Sequence, residues 1–164
     1  MEDSIENITN FLQLTIRLAT AGQPTVEQYP AIALAGYRVV INLGLIDSPQ
    51  ALANEAAIAS NLGLEYIHIP VQWDAPTLVD FQEFVSAMDT HIHQKVFVHC
   101  AANKRVSAFM YLYQIHQGMD EIIAGQDLAK IWMPNQIWQN FIETIQSSMR
   151  EDCGKIEGES SANT

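Results

Sequence analysis

The apolar residues of this chain fall into short runs parted by turn chemistry, and their spacing alternates between the periods of strands and helices. Phe11, Leu12, Leu14, Ile16 and Leu18 show mixed periodicity and predict a short edge strand or two. Ala21-Gly22-Gln23-Pro24-Thr25 reads as a turn, with Thr25 as N-cap of a helix over Val26 to Ala35 that Gly36 closes. Arg38 to Leu43 reads as a buried strand, and Gly44 to Pro49 as a loop. Gln50 to Leu62 is alanine-rich and helical, ended by Gly63. Glu65 to Val71 is the next strand, and the loop Gln72-Trp73-Asp74-Ala75-Pro76 follows it. Thr77 then caps a helix over Leu78 to His91. Val96 to His99 is a β-branched apolar strand, after which Val106, Phe109, Met110 and Tyr113 recur at helical spacing toward Gly118. Two more helices are expected near Asp120 to Ile131 and Gln136 to Ser148, parted by Met133-Pro134-Asn135.

Strands alternating with helices imply an α/β three-layer sandwich, with a mostly parallel central sheet flanked by helices on both faces. The 164 residues carry no internal repeat and no linker, so one domain is expected over residues 1–149. Residues 150–164 are polar and read as a disordered tail. The net charge of −11 argues against nucleic acid or an anionic membrane as partner, because such surfaces need basic patches. A phosphate site in so acidic a chain has to rest on local geometry. Cys100 and Cys153 do not make a disulfide framework, no apolar run reaches membrane-spanning length, and Met1 to Asn10 lacks the pattern of a signal peptide. A reducing, cytoplasmic setting is therefore expected. The sequence has neither a dinucleotide glycine fingerprint nor a Walker-type loop. His91 and His93 lack a third ligand at metal spacing, and His68 and His116 read as structural, so neither metal nor cofactor is expected.

The chemistry concentrates in Val98-His99-Cys100-Ala101-Ala102-Asn103-Lys104-Arg105-Val106-Ser107, where a strand ends and a helix begins. Ligands of open α/β sheets bind at the carboxyl ends of strands, and the first turn of a helix offers unpaired N–H groups to an anion. That field, with His99, Lys104 and Arg105 nearby, favours a thiolate at Cys100. The stretch resembles the signature loop of the cysteine-dependent protein tyrosine and dual-specificity phosphatases. More closely, the chain from about Asn10 to Gln146 looks like a small bacterial phosphatase-like family of unknown function related to them.

The resemblance implies that Cys100 is the nucleophile, with Ala101, Ala102, Asn103, Lys104, Arg105 and Val106 lining the phosphate-binding loop. It implies that Ser107 stabilises the leaving thiolate, that His99 tunes the loop by hydrogen bonding, and that Asp74 is the general acid carried on a loop before the signature strand. The substrate would be a phosphorylated protein or a small phosphate ester. Two departures stand out. The family's arginine position falls on Val106, while Arg105 arrives one residue early. The family's loop glycines are replaced by Ala101, Ala102 and Asn103, of which only Asn103 tolerates left-handed backbone well.

Duller readings stand beside these. Cys100 could be a buried structural thiol, Arg105 a surface residue of the first helical turn with Lys104 as fallback cation, and Ser107 a capping serine. His99 could be a satisfied core histidine, and Asp74 a turn residue with Asp80 as weaker substitute acid. Asn135 and Gln136 could lie near the site, although Asn135 suits the cap of the last helix. Trp132, Trp138 and Phe141 suit the core. Redox protection of Cys100 by Cys153 is a remote option. Two other functions stay open. Four residues between cysteine and arginine is also the loop length of rhodanese-like sulfurtransferases, which carry a persulfide. A loop short of glycine could alternatively bind phosphate groups without turning them over.

Overall fold

The computed structural model describes the backbone of residues 4–161 and the side chains up to residue 152, so Cys153 lies outside the described side chains. Five strands form one sheet: β1 (Leu12–Thr15), β2 (Leu18–Ala21), β3 (Val39–Asn42), β4 (Glu65–His68) and β5 (Val96–His99), in the order β1-β2-β5-β3-β4. β1 and β2 are antiparallel, and every other pairing is parallel. The expected α/β layering forms, with one difference at the start. β2 is an interior strand, hydrogen-bonded to both β1 and β5. Its buried Ala19, Thr20 and Ala21 are too small to mark it as interior by apolar pattern.

The helices are α1 (Tyr29–Leu34), α2 (Glu55–Asn61), α3 (Leu78–Thr90), α4 (Lys104–His116), α5 (Glu121–Ile131) and α6 (Gln136–Ser161). Several start signals act where the sequence places them. Thr77 and Asp80 form a reciprocal capping box on α3, Asp120 caps α5, and Asn135 Oδ1 accepts the Trp138 N–H at 3.0 Å to cap α6. Thr25 also forms a capping box, with Gln28, but on a 3-10 turn, Val26–Gln28. α1 starts only at Tyr29, with Pro30 in its first turn, where a missing N–H costs nothing. α2 is shorter than the alanine content suggests. Backbone turns close Leu45 on Ser48 and Ser48 on Ala51, so the helix begins at Glu55. α6 extends past Ser148, with no proline after Pro134 to stop it.

Alternation along the strands divides the core into two halves. Val39, Ile41, Val96 and Val98 face α3, α4 and α6, where Phe81, Phe84, Phe109, Trp138 and Phe141 pack. Val40 and Phe97 face the other way, against Tyr29, Ile32 and Tyr37 around α1 and Ala59 of α2. Phe109 is fully buried and contacts the rings of Phe81, Phe84, Trp138 and Phe141 at 5.5 to 6.0 Å between centroids. Phe109→Ala should therefore lower unfolding stability by about 3–5 kcal/mol, read from the shift of the guanidinium midpoint. A loss under about 1 kcal/mol would mean that the aromatic cluster collapses around the gap.

Candidate functional site

All four parallel strands end at one edge of the sheet, because Ala21 and Asn42 each pair with His99, and Asn42 also pairs with His68. Strand parity then separates two neighbours. Cys100 continues the Val96 and Val98 side and joins the core half under α4. His99 continues the Phe97 side, toward α2, and is fully buried.

The loop after β5 is tied down by its carbonyl oxygens. The Cys100 carbonyl accepts from His99 Nδ1 at 3.2 Å. The Ala101 carbonyl accepts from the Gln23 backbone N–H at 3.0 Å, and the Ala102 carbonyl from Asn10 Nδ2 at 3.0 Å. In a trans peptide the N–H points opposite to the C=O. Holding the Cys100 and Ala101 carbonyls against the scaffold therefore turns the N–H groups of Ala101 and Ala102 away from it. Gly22 is required directly behind. A Cβ there would stand 2.7 Å from the Ala101 carbonyl oxygen and 3.1 Å from Thr9 Cβ. At Gly44 a Cβ would stand 3.0 Å from Asn42 Oδ1, with the Cys100 Cα at an ordinary contact distance of 3.7 Å.

Asn103 occupies the left-handed region, at φ 64° and ψ 3°, as the missing loop glycines require of it. Its side chain does not cap α4. It turns inward, donating to the Asn10 carbonyl at 2.8 Å and to Thr20 Oγ1 at 3.0 Å. The first turn of α4 thus keeps the N–H groups of Lys104, Arg105 and Val106 free of a side-chain cap, a favourable end for an anion.

Arg105 is not a surface arginine. It is only 5% exposed, and its Nη1 donates to the Val71 carbonyl at 2.9 Å. Val71 lies just ahead of Trp73-Asp74, so the guanidinium joins the cysteine loop to the aspartate loop. Val106, at the family's arginine position, is fully buried among apolar side chains. Lys104 is exposed, with its ammonium 5.7 Å from the Trp132 ring centroid.

Asp74 is exposed on the loop after β4. The Val71 N–H bonds to the Leu43 carbonyl at 3.0 Å, which keeps this loop at the same edge as Cys100. Trp73 anchors it further. The Trp73 ring packs on Trp132 and Trp138 at 5.4 and 5.9 Å, and its carbonyl accepts Trp138 Nε1–H at 2.9 Å. Asp80 is engaged elsewhere, accepting the Thr77 N–H at 3.0 Å. Ser107 is buried and its hydroxyl donates to the Lys104 carbonyl at 2.9 Å, within the helix. His91 and Gln94 pair on the α3–β5 connection, and His116 packs on Tyr113; both are remote from the cysteine in the fold. His68 reaches the site's floor, donating from Nε2 to the Gly44 carbonyl at 2.6 Å.

The structure adds Glu55, Asn42 and Gln23, which no local pattern marks. Glu55 is buried and accepts from His99 Nε2 at 3.1 Å, from Asn42 Nδ2 at 3.0 Å and from Gln23 Nε2. In the sequence it reads as an ordinary acidic residue of a first helical turn.

Residues 2–151 match the family described as DSP-PTPase phosphatase fused to NAD+ kinase. A DUF442 protein of Shewanella putrefaciens CN-32, described as a candidate phosphatase, superposes with a TM-score of 0.80 at 32% identity, over 88% of this chain and 96% of that one. A beta-lactamase hydrolase-like protein of Xylella fastidiosa strain Temecula1 is 33% identical over 75% of this chain. The chain spans only 31% of that relative's length. Kinase associated phosphatase, solved with its catalytic cysteine changed to serine, shares the fold with a TM-score of 0.76 at 10% identity, covering 88% and 98% of the two chains.

Gly22→Ala should cost about 1–3 kcal/mol of stability in denaturant titration, because the new methyl meets backbone rather than a movable side chain. An unchanged midpoint would mean that the cysteine loop shifts freely, contrary to its carbonyl tethers.

Proposed function

We propose a phosphatase reaction for this chain, which belongs to the family described as DSP-PTPase phosphatase fused to NAD+ kinase. The reading is a cysteine-dependent hydrolysis of phosphate monoesters, on a phosphorylated protein or a small phosphate ester. One observation carries it. A buried cysteine stands at the end of a central strand, before outward-turned amides and an uncapped helix start whose first turn carries a buried arginine.

In this mechanism the Cys100 thiolate attacks phosphorus, and an S–P bond forms as the ester P–O bond breaks. Asp74 gives its proton to the leaving oxygen. A water then attacks the cysteinyl-phosphate, Asp74 takes the water's proton, and the S–P bond breaks to return thiolate and inorganic phosphate. The non-bridging oxygens are held by the amides of the Ala101–Val106 loop and by Arg105, whose second guanidinium nitrogen remains to pair with them. Ser107 donates to the Lys104 carbonyl and supports the first turn of α4; from there its part is to keep the helix end in register beneath the thiolate. The net charge of −11 places no attractive field around the site, so recognition depends on these local donors.

The test is phosphate release from an aryl phosphate across acidic to neutral pH. Cys100→Ser should abolish turnover. Asp74→Asn should slow it by about a hundredfold and flatten the limb on which activity falls as pH rises, since the acid must carry the proton it gives. Arg105→Lys should lower kcat/KM by at least about tenfold, because an ammonium cannot replace the planar fork. Wild-type protein that releases no phosphate but consumes thiosulfate would replace this reading with sulfur transfer on the four-residue loop. Phosphate binding with no turnover, unchanged in Cys100→Ala, would replace it with a phosphate-group reader.

A further inference from the structure

Glu55 is a buried carboxylate that the reaction above does not use. It sits in the first turn of α2, 5% exposed. Two of its donors, His99 and Gln23, also tether the cysteine loop, and a third, Asn42, holds the turn behind it. His99 holds the Cys100 carbonyl through Nδ1 at 3.2 Å. Gln23 holds the Ala101 carbonyl through its backbone N–H at 3.0 Å. Asn42 Oδ1 accepts the Gly44 N–H at 2.7 Å, beneath the Cys100 Cα. One carboxylate thus meets three side chains that fix the loop's scaffold from different strands and turns.

We propose that Glu55 is a positioning residue that holds the His99 ring as a two-proton donor, and so both orients the Cys100 carbonyl and favours the Cys100 thiolate. The hydrogen-bond geometry supports it. A carbonyl oxygen can only accept, so His99 Nδ1 donates to it. His99 Nε2 faces Glu55 Oε2 at 3.1 Å, and one proton must lie between them, on the ring or on the carboxyl. Burial by itself pushes the Glu55 carboxyl up, but hydrogen bonds from His99, Gln23 and Tyr66 and the charge of His99 together hold it below the usual carboxylate range. Both carboxyl oxygens also accept from amides, Oε1 from Gln23 Nε2 and Oε2 from Asn42 Nδ2, the arrangement of an ionised carboxylate, so the proposal puts the shared proton on the ring. The pair is therefore a dipole with its positive end toward Cys100.

The other titratable groups around the carboxylate are Tyr29 of α1 and Tyr66 of β4. Burial pushes both phenols up, with the negative charge of Glu55 adding to it, so they stay neutral through the working range. His68 is turned to the Gly44 carbonyl next door. The proposal rests on the thiolate reading of Cys100, but it can fail or hold independently of phosphatase turnover.

Two measurements test it. The first is alkylation of Cys100 by iodoacetamide at neutral pH and at pH about 9, followed by peptide mass spectrometry, with unfolding temperature measured in parallel. A group that loses a favourable neighbouring charge reacts less at neutral pH but recovers when pH is raised. Glu55→Gln should slow the neutral-pH rate by about tenfold relative to the pH 9 rate, and Glu55→Asp should restore part of that ratio. An unchanged ratio in a folded Glu55→Gln protein overturns the proposal. The second needs no variant: nitrogen-15 NMR of the histidine rings in the wild-type protein should find both His99 nitrogens protonated at neutral pH. A ring with a single proton also overturns it. Altered alkylation without any phosphate release would leave Glu55 in this role and remove the phosphatase reading. Phosphate release with an unaltered ratio would do the reverse.

Discussion

Consecutive residues of an extended strand must point to opposite faces, and at the end of β5 this constraint sets the rest of the site. It sends Cys100 to the α4 side of the sheet and His99 to the α2 side. The cysteine is thereby delivered to a helix start, while the preceding histidine is delivered to a carboxylate. Because β2 and β3 pair with β5 in register at Ala21 and Asn42, Gln23 just past the end of β2 and Asn42 at the end of β3 both reach Glu55.

The loop itself is a problem in satisfying backbone groups. Its peptide carbonyls find donors below, in His99, the Gln23 amide and Asn10, which leaves N–H groups and an uncapped helix end on the other side. Glycines would make such a path cheap. Here one residue, Asn103, takes the left-handed turn, and its buried side chain is held by Asn10 and Thr20 in place of the helix cap it would ordinarily provide. The same economy would let an acidic chain carry the proposed anion site. Its donors in that proposal are backbone amides and one desolvated arginine, effective at short range where net charge is not.

Much of the frame was legible because it is written in local chemistry. The apolar runs gave the strands, and Thr25, Thr77 and Asn135 announced helix starts as side chains that accept backbone N–H groups. The strand-cysteine-helix junction followed from a change of period. Where local signals fell short, long-range contacts had decided. β2 is interior although its residues are small. Arg105 looked out of register by counting, yet the fold buries it against the Val71 carbonyl and gives the neighbouring Val106 to the core. Trp73 was a loop residue in sequence and is the anchor of the Asp74 loop in the fold, because Trp132 and Trp138 return to it from the far end of the chain.

Sequence alone determined the alternation of strands and helices, the place of Cys100 between them, and that Asn103 is the loop residue best able to take a positive φ. Each of these depends on a residue and its near neighbours. Tertiary structure alone decided that Glu55 lies under His99, that Gln23 and Asn10 hold loop carbonyls, and that Arg105 bridges two loops. These partners are tens of residues apart, and an acidic first-turn residue carries the same local signature whether it faces water or a buried histidine. Only the packing of α2 on the sheet distinguishes the two.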